Sequence, residues 1–364
     1  MSLRFHWRLL LGGETSGETR ATMYSRVETG LPDLEAQINF CRAAEASGID
    51  SLLIDFGASK PDSILLATVL GKATEKIKFI VAYRSGLLSP ALFVQQLNTL
   101  SSFINGRFSL NIVAGYSSQE QQYYGDFLSH DERYERTDEF LAICRAFWKR
   151  NGEVNFEGKY YRVEGGRLNT PFQSPDRTFP EILIAGSSQP AQRLALRQGT
   201  CWFRLADAPE RIRDDALMIS RQGIDVGLRM SIITRPTREE ALGAAYALVE
   251  GSNSKGEEKK FVQASDSKSI KATYNLADEE WLTPTLWTGA VRANGAPSIA
   301  LVGTPEEVAS AIMEYKAIGI SQFIFSGWPK LEEMIRFGRD VLPLVRDKES
   351  ALETQAVAEA TSNI

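Results

Sequence analysis

Histidine is the scarcest titratable residue of this chain, with two among 364 residues. His6 and His130 stand far apart, and neither belongs to an H-x-x-x-H or H-E-x-x-H pattern. A transition-metal centre built from protein ligands is therefore not expected, and no metal-ligating residue is assigned. The same scarcity restricts catalysis, because a general base must come from these two imidazoles or from something else, such as a cofactor. Cysteine is nearly as sparse. Cys41, Cys144 and Cys201 are odd in number, widely separated and set in apolar contexts, which points to buried small hydrophobic side chains and away from a disulfide framework or a zinc site. No apolar run approaches the roughly 18 residues of a membrane span, and the N-terminus, with Arg4 and Arg8 and no small-residue cleavage site, does not read as a signal peptide. A cytoplasmic protein with no membrane partner is expected. A net charge of −5 with interspersed signs supplies no basic stripe for a phosphate backbone, which sets nucleic acid aside as a partner.

What is present is a repeat. Four times a helical pattern ends in glycine and an apolar, β-branched run follows at once: Gly48 before SLLIDF, Gly199 before TCWFRLA, Gly223 before VGLRMSIITR and Gly319 before SQFIFSG. Glycine after a helix takes the left-handed conformation without a Cβ penalty and turns the chain back, which is the αβ half of a βα unit. Helix starts are equally legible. Thr304-Pro305-Glu306-Glu307 carries a hydroxyl cap, proline at the first helical position and Glu at the third, and Thr237-Arg238-Glu239-Glu240 and Asp207-Ala208-Pro209-Glu210 repeat the device. Together these signals predict strands near 4–11, 49–56, 76–84, 107–115, 181–186, 201–206, 226–235 and 320–326. They predict helices near 33–47, 61–75, 89–104, 134–149, 189–198, 209–222, 237–250, 304–318 and 331–346. Eight strands alternating with helices define an α/β protein with the (β/α)8 TIM-barrel fold.

The domain expected is one barrel over residues 1–347, followed by a frayed, flexible tail at 348–364. Two stretches interrupt the repeat. Residues 150–172 read as a β-hairpin, and the polar residues 251–280 as a mobile lid over the C-terminal mouth, where active sites of this fold lie. Arg8, Arg204 and Arg229 lie on barrel strands and each needs a partner if it points inward, which raises the prospect of an anion site.

The fifth predicted strand ends in Gly186-Ser187-Ser188, followed by Gln189-Pro190 and a helical pattern. Close backbone approach, two hydroxyls and unpaired N–H groups at a helix start make a phosphate-type site. Several further segments occur in order: Trp7, Pro90, Asn105-Gly106-Arg107, Asn111-Ile112-Val113, His130-x-Glu132-Arg133-Tyr134, Asn155-Phe156-x-Gly158-Lys159, Leu286-Trp287, Ala300-Leu301-Val302-Gly303 and Ser326-Gly327-x-Pro329-x-Leu331-Glu332-Glu333. With this set the chain resembles the bacterial luciferase-like flavin-dependent monooxygenases, and among them the two-component alkanesulfonate monooxygenases, from about residue 3 to 346. The resemblance implies a TIM barrel that takes reduced FMN (FMNH2) from a separate NAD(P)H:flavin reductase. Oxygen then adds to the flavin C4a, and the resulting peroxide attacks a small-molecule substrate. It assigns the FMN phosphate to Gly186, Ser187, Ser188 and Tyr134, and the flavin ring to the strand ends carrying Phe56, Ala82 and Asn111, with Asp55, Tyr83 and Arg84 beside them. A homodimer or homotetramer is implied by analogy.

The substrate side departs from the family pattern. Arg229 and Arg292 match the two arginines that grip an anionic substrate group and the peroxide. Family histidines, however, are replaced by Gly12 and Ser231, the active-site cysteine by Lys60 and a tyrosine by Trp328. Arg229, Arg292, Trp328 and Lys60 are accordingly the candidate catalytic residues, for an anionic or polar substrate that is not a simple alkanesulfonate. A catalytically decayed flavin-binding protein and an oxidoreductase using deazaflavin F420 are the alternatives.

Overall fold

The computed structural model describes residues 2–10, 33–58, 60–115, 117–250, 262–263 and 265–362, with side chains described as far as residue 355. Among these residues the strands are β1 (Arg4–Arg8), β2 (Ser51–Ile54), β3 (Lys78–Tyr83), β4 (Phe108–Ile112), β5 (Val154–Glu157), β6 (Arg162–Gly166), β7 (Glu181–Ala185), β8 (Cys201–Leu205), β9 (Asp225–Arg229), β10 (Ser231–Thr234), β11 (Leu286–Trp287), β12 (Ala300–Gly303) and β13 (Gln322–Phe325). Eight of them close a parallel barrel in the order β1-β13-β9-β8-β7-β4-β3-β2, with helices around it, as the (β/α)8 reading requires.

Period-two alternation explains how the barrel fills. On β1, Phe5 and Trp7 face outward and pack against Phe323, Phe325 and Phe337, while Arg4, His6 and Arg8 take the other face. At the bottom, Arg4 bridges Glu181 and Asp225, and Gln322 donates to Asp225 at 2.9 Å. One layer up, His6 Nε2 meets Gln322 Oε1 at 3.0 Å, and burial lowers the pKa of its imidazole to about 4. Leu53, Ile80, Ala82, Leu183, Cys201, Phe203 and Ile324 fill the middle. Gly227 on β9 is required there, because a Cβ would sit 2.3 Å from the Phe203 ring. Arg8 is the top layer and belongs to the site. All three cysteines are buried.

The hairpin expected at 150–172 is present as β5 and β6. Four other expectations need correction. The strand predicted over 226–235 is two elements. β9 ends at Arg229, and the Ser231 N–H then bonds the Ile299 carbonyl at 2.7 Å, so β10 leaves the barrel for a small sheet ordered β10-β12-β11. The helix predicted over 134–149 starts at His130, because Ser129 and Glu132 form a capping box. The tail expected at 348–364 is helical to Ser362, and the boundary at 347 falls inside helix Leu342–Ser362. Glu349 anchors that helix; it is buried, accepts from the Leu3 N–H at 2.8 Å and pairs with Arg346 at 2.6 Å and with Lys316. Of the predicted lid, residues 251–261 and 264 lie outside the described residues, whereas Lys268–Leu276 is a helix capped by Ser267, not an irregular loop. No helix among the described residues is long and apolar enough to cross a membrane.

Candidate active site

A cavity of about 600 Å³ opens where the barrel strands end, lined from all eight of them and by the segments following β2 and β13. Ten of the eleven predicted site residues line it: Lys60, Phe56, Ala82, Asn111, Tyr134, Gly186, Ser187, Ser188, Arg229 and Trp328. Arg292 does not. It sits on the short helix Val291–Asn294, where its guanidinium pairs with the exposed Asp278 and lies 5.7 Å from the Tyr274 ring centroid, outside the cavity lining.

One end of the cavity is built from hydroxyls. Ser188 caps helix Gln189–Gln198, and Tyr134, buried near the start of helix His130–Lys149, lines the same end with its hydroxyl beside Gly186. Gly186 has φ +130°, and a Cβ there would stand 2.9 Å from the Tyr134 hydroxyl, so the position needs glycine for conformation and for space. Ser187 gives its N–H to the Ser269 hydroxyl at 2.9 Å, and the two hydroxyls meet at 2.7 Å. Ser267, Lys268 and Ser269 therefore bring part of the second insertion into this end, alongside His130.

The other end is built from charge. The buried Asp55 carboxylate takes Arg8 Nε at 2.6 Å, Lys60 Nζ at 3.2 Å and Arg229 Nη2 at 3.5 Å. Burial by itself would raise the Asp55 pKa, but Lys60, Arg8 and Arg229 hold it well below the usual carboxylate range. Arg8, set on a strand otherwise packed with aromatics, is thus part of the same cluster as two predicted residues. Ser231 lines the wall and donates to the Pro297 carbonyl at 3.0 Å. Gly12, the other position where the resemblance has a histidine, lies outside the described residues.

Between these ends the wall holds polar atoms with no hydrogen-bond partner among the described residues: the buried Asn111 Oδ1, and Nε and Nη1 of the buried Arg84. The Arg84 guanidinium lies 5.0 Å from the Phe56 ring centroid and pairs with Glu120. An unpaired acceptor and unpaired donors on one cavity wall suit a flat heterocycle with a mixed hydrogen-bonding edge. Among the described residues no group of three or more His, Cys, Asp or Glu side chains is placed to hold a metal ion.

The fold and this site at its C-terminal mouth define a TIM-barrel enzyme, and residues 5–322 match the model of the luciferase-like monooxygenase family. The chain belongs to that family. Solved structures of the same fold include EDTA monooxygenase from Chelativorans sp. BNC1, at 20% identity over 96% of this chain and 94% of that one, with a TM-score of 0.74. Riboflavin lyase, solved with a modified FMN and riboflavin, is similar at 19% identity over 96% and 92%, with a TM-score of 0.70. An F420-dependent secondary alcohol dehydrogenase is similar at 18% identity over 95% and 99%, with a TM-score of 0.66.

Lys268 and Ser269 also line the cavity and were not singled out as its lining from the sequence, whereas Arg204, one of the three barrel-strand arginines read from the sequence, lines it as well. For the first two a signal existed: Ser267 precedes the apolar spacing Ile270, Thr273, Tyr274, a cap followed by one helix face.

Proposed function

We propose that this enzyme is a monooxygenase that uses reduced FMN and O2 on a small organic substrate bearing an anionic or strongly polar group, with FMNH2 delivered by a separate NAD(P)H:flavin reductase. The observation that carries this reading is one cavity with a hydroxyl cradle at one end and a cluster of cations around a single carboxylate at the other. The residues fit FMN. Gly186, Ser187, Ser188 and Tyr134 suit a phosphate, and the orphaned Asn111 Oδ1 with Phe56 and Ala82 suits the ring.

When bound, reduced FMN supplies the two electrons that activate O2. The chain's own part is to bind and to exclude water. Ser187 and Tyr134 donate to the phosphate, and Asn111 accepts from the ring. Arg229 and Lys60 bind the anionic group of the substrate, while Asp55 keeps their heads together and aimed into the cavity. Trp328 offers one indole N–H and a broad apolar face, which shapes the pocket without taking a proton. Ser231 cannot serve as a base near neutral pH, so protons at the reacting atoms come from bound water or from the cofactor.

The test is oxygen uptake by the purified chain with a flavin reductase, NADH and FMN, beside a titration of FMN against F420. Flavin-dependent uptake above the reductase alone, and preference for FMN, are expected. Failure to bind FMN in either redox state overturns the reading, and preference for F420 replaces it with hydride transfer. A homodimer or homotetramer is part of the proposal. Leu65, Val69, Leu92 and Phe103 are exposed on the neighbouring helices Ser63–Lys72 and Pro90–Ile104, an apolar face of the kind that subunits cover. Light scattering should give a multiple of the 40.4 kDa chain mass.

A further inference from the structure

The Ser269 hydroxyl stands where an anion's oxygen would. It lies 2.9 Å from the Ser187 nitrogen and 2.7 Å from the Ser187 hydroxyl oxygen. These are the spacings at which N–H and O–H donors hold a charged oxygen, and in the reading above they are donors to the cofactor phosphate. Its neighbour Lys268 lines the same cavity and forms no ion pair with any described carboxylate. Asp131, a carboxylate that feels the Lys268 charge, is exposed and already meets His130 Nδ1 at 2.6 Å. The second insertion thus puts a neutral oxygen on the phosphate donors and a cation beside them.

We propose that Lys268 and Ser269 read the terminal phosphate of the cofactor. A phosphate monoester displaces the Ser269 hydroxyl from Ser187 and takes Lys268 as its counter-ion. The site thereby prefers a phosphorylated flavin to its dephosphorylated form, and helix Lys268–Leu276 shifts with cofactor occupancy. This rests on the assignment of the hydroxyl end to a flavin phosphate, and it adds a specificity device in an insertion that lies outside the βα repeat.

Fluorescence titrations of the full chain with oxidised FMN and with riboflavin, and amide exchange of helix Lys268–Leu276 with and without inorganic phosphate, test it. Removing a competitor should make Ser269→Ala bind FMN about three- to tenfold more tightly, and loss of one charge-assisted contact should make Lys268→Met bind it about tenfold more weakly, with riboflavin unchanged in both. Phosphate should alter exchange in the helix of the wild type and not of Lys268→Met. Equal shifts for FMN and riboflavin, no shift for either variant, or weaker FMN binding by Ser269→Ala would overturn the proposal. If the wild type binds neither flavin, the proposed function fails. The phosphate-dependent exchange then decides this inference separately, supporting it if Lys268→Met abolishes the change and overturning it if the wild type shows none.

Discussion

The two ends of the cavity are made in opposite ways. The hydroxyl end is local in sequence: Gly186, Ser187 and Ser188 are consecutive, and a helix cap fixes their geometry. The charged end is assembled from afar, since Arg8 and Asp55 are 47 residues apart and Arg229 arrives on a later strand. The hydroxyl end is held mainly by backbone conformation and short neutral hydrogen bonds. The charged end is held by mutual Coulomb attraction among groups that burial would otherwise penalise. A change at the first should therefore act on ligand binding or local strain, whereas a change at the second should act on the stability of the whole barrel.

The sharpest way to break that contrast is Asp55→Asn. Neutralising the buried carboxylate that Arg8, Lys60 and Arg229 share leaves three partly buried cations facing one another, and a loss of about 3–5 kcal/mol is expected in urea unfolding. The pH dependence has a definite sign. The folded pKa of Asp55 lies below its ordinary value of 3.8, so its contribution is fully present above that value and is lost as pH falls below it toward the folded pKa. In the Asp55→Asn variant that acid-range loss should shrink. A variant as stable as the wild type would mean that the cluster contributes nothing as an assembly.

Next in size is Gly186→Ala. At φ +130° any side chain is strained, and the new methyl would meet the Tyr134 hydroxyl, so a loss of about 1–3 kcal/mol is expected together with weaker FMN binding. Tyr134→Phe separates the two effects. It removes the hydroxyl and keeps the ring, and should lower FMN affinity about tenfold while stability changes by less than about 1 kcal/mol. If Tyr134→Phe costs as much stability as Asp55→Asn, the hydroxyl end is structural and the contrast between the ends collapses.

The same difference explains what could be read in advance. Glycine after a helix and hydroxyl-proline-glutamate before one are short-range signals, so the barrel and the Ser187–Ser188 turn were legible. Where the chain leaves a strand is decided by a distant partner. β10 departs from β9 because β12 offers it an edge, and no feature of 226–235 announces that. Glu349 looked like one of several acids in a solvated tail until the Leu3 N–H and Lys316 gave it partners. Arg84 is placed beside the ring by resemblance and Arg8 on a barrel strand by pattern, but their partners, Glu120 and Asp55, needed the closed barrel. Arg292 was placed by resemblance alone.

Arg292→Ala is the smallest expected effect and the one that tests that placement. Arg292 and Asp278 form a partly exposed pair, which is worth between zero and about 1 kcal/mol, and the stacking over Tyr274 adds little more at an exposed site. The variant should unfold within about 1 kcal/mol of the wild type and bind oxidised FMN unchanged. Arg229→Ala, by contrast, removes a cation from the Asp55 cluster and should alter both stability and the binding of anions in the cavity. Competition by a small carboxylate or sulfonate panel against FMN-loaded protein compares the two directly. If Arg292→Ala weakens anion binding as much as Arg229→Ala does, the short helix Val291–Asn294 must swing its arginine into the cavity when ligand arrives. If only Arg229→Ala does, the anion-binding charge of the site is carried by the barrel strands and not by the segment that follows the second insertion.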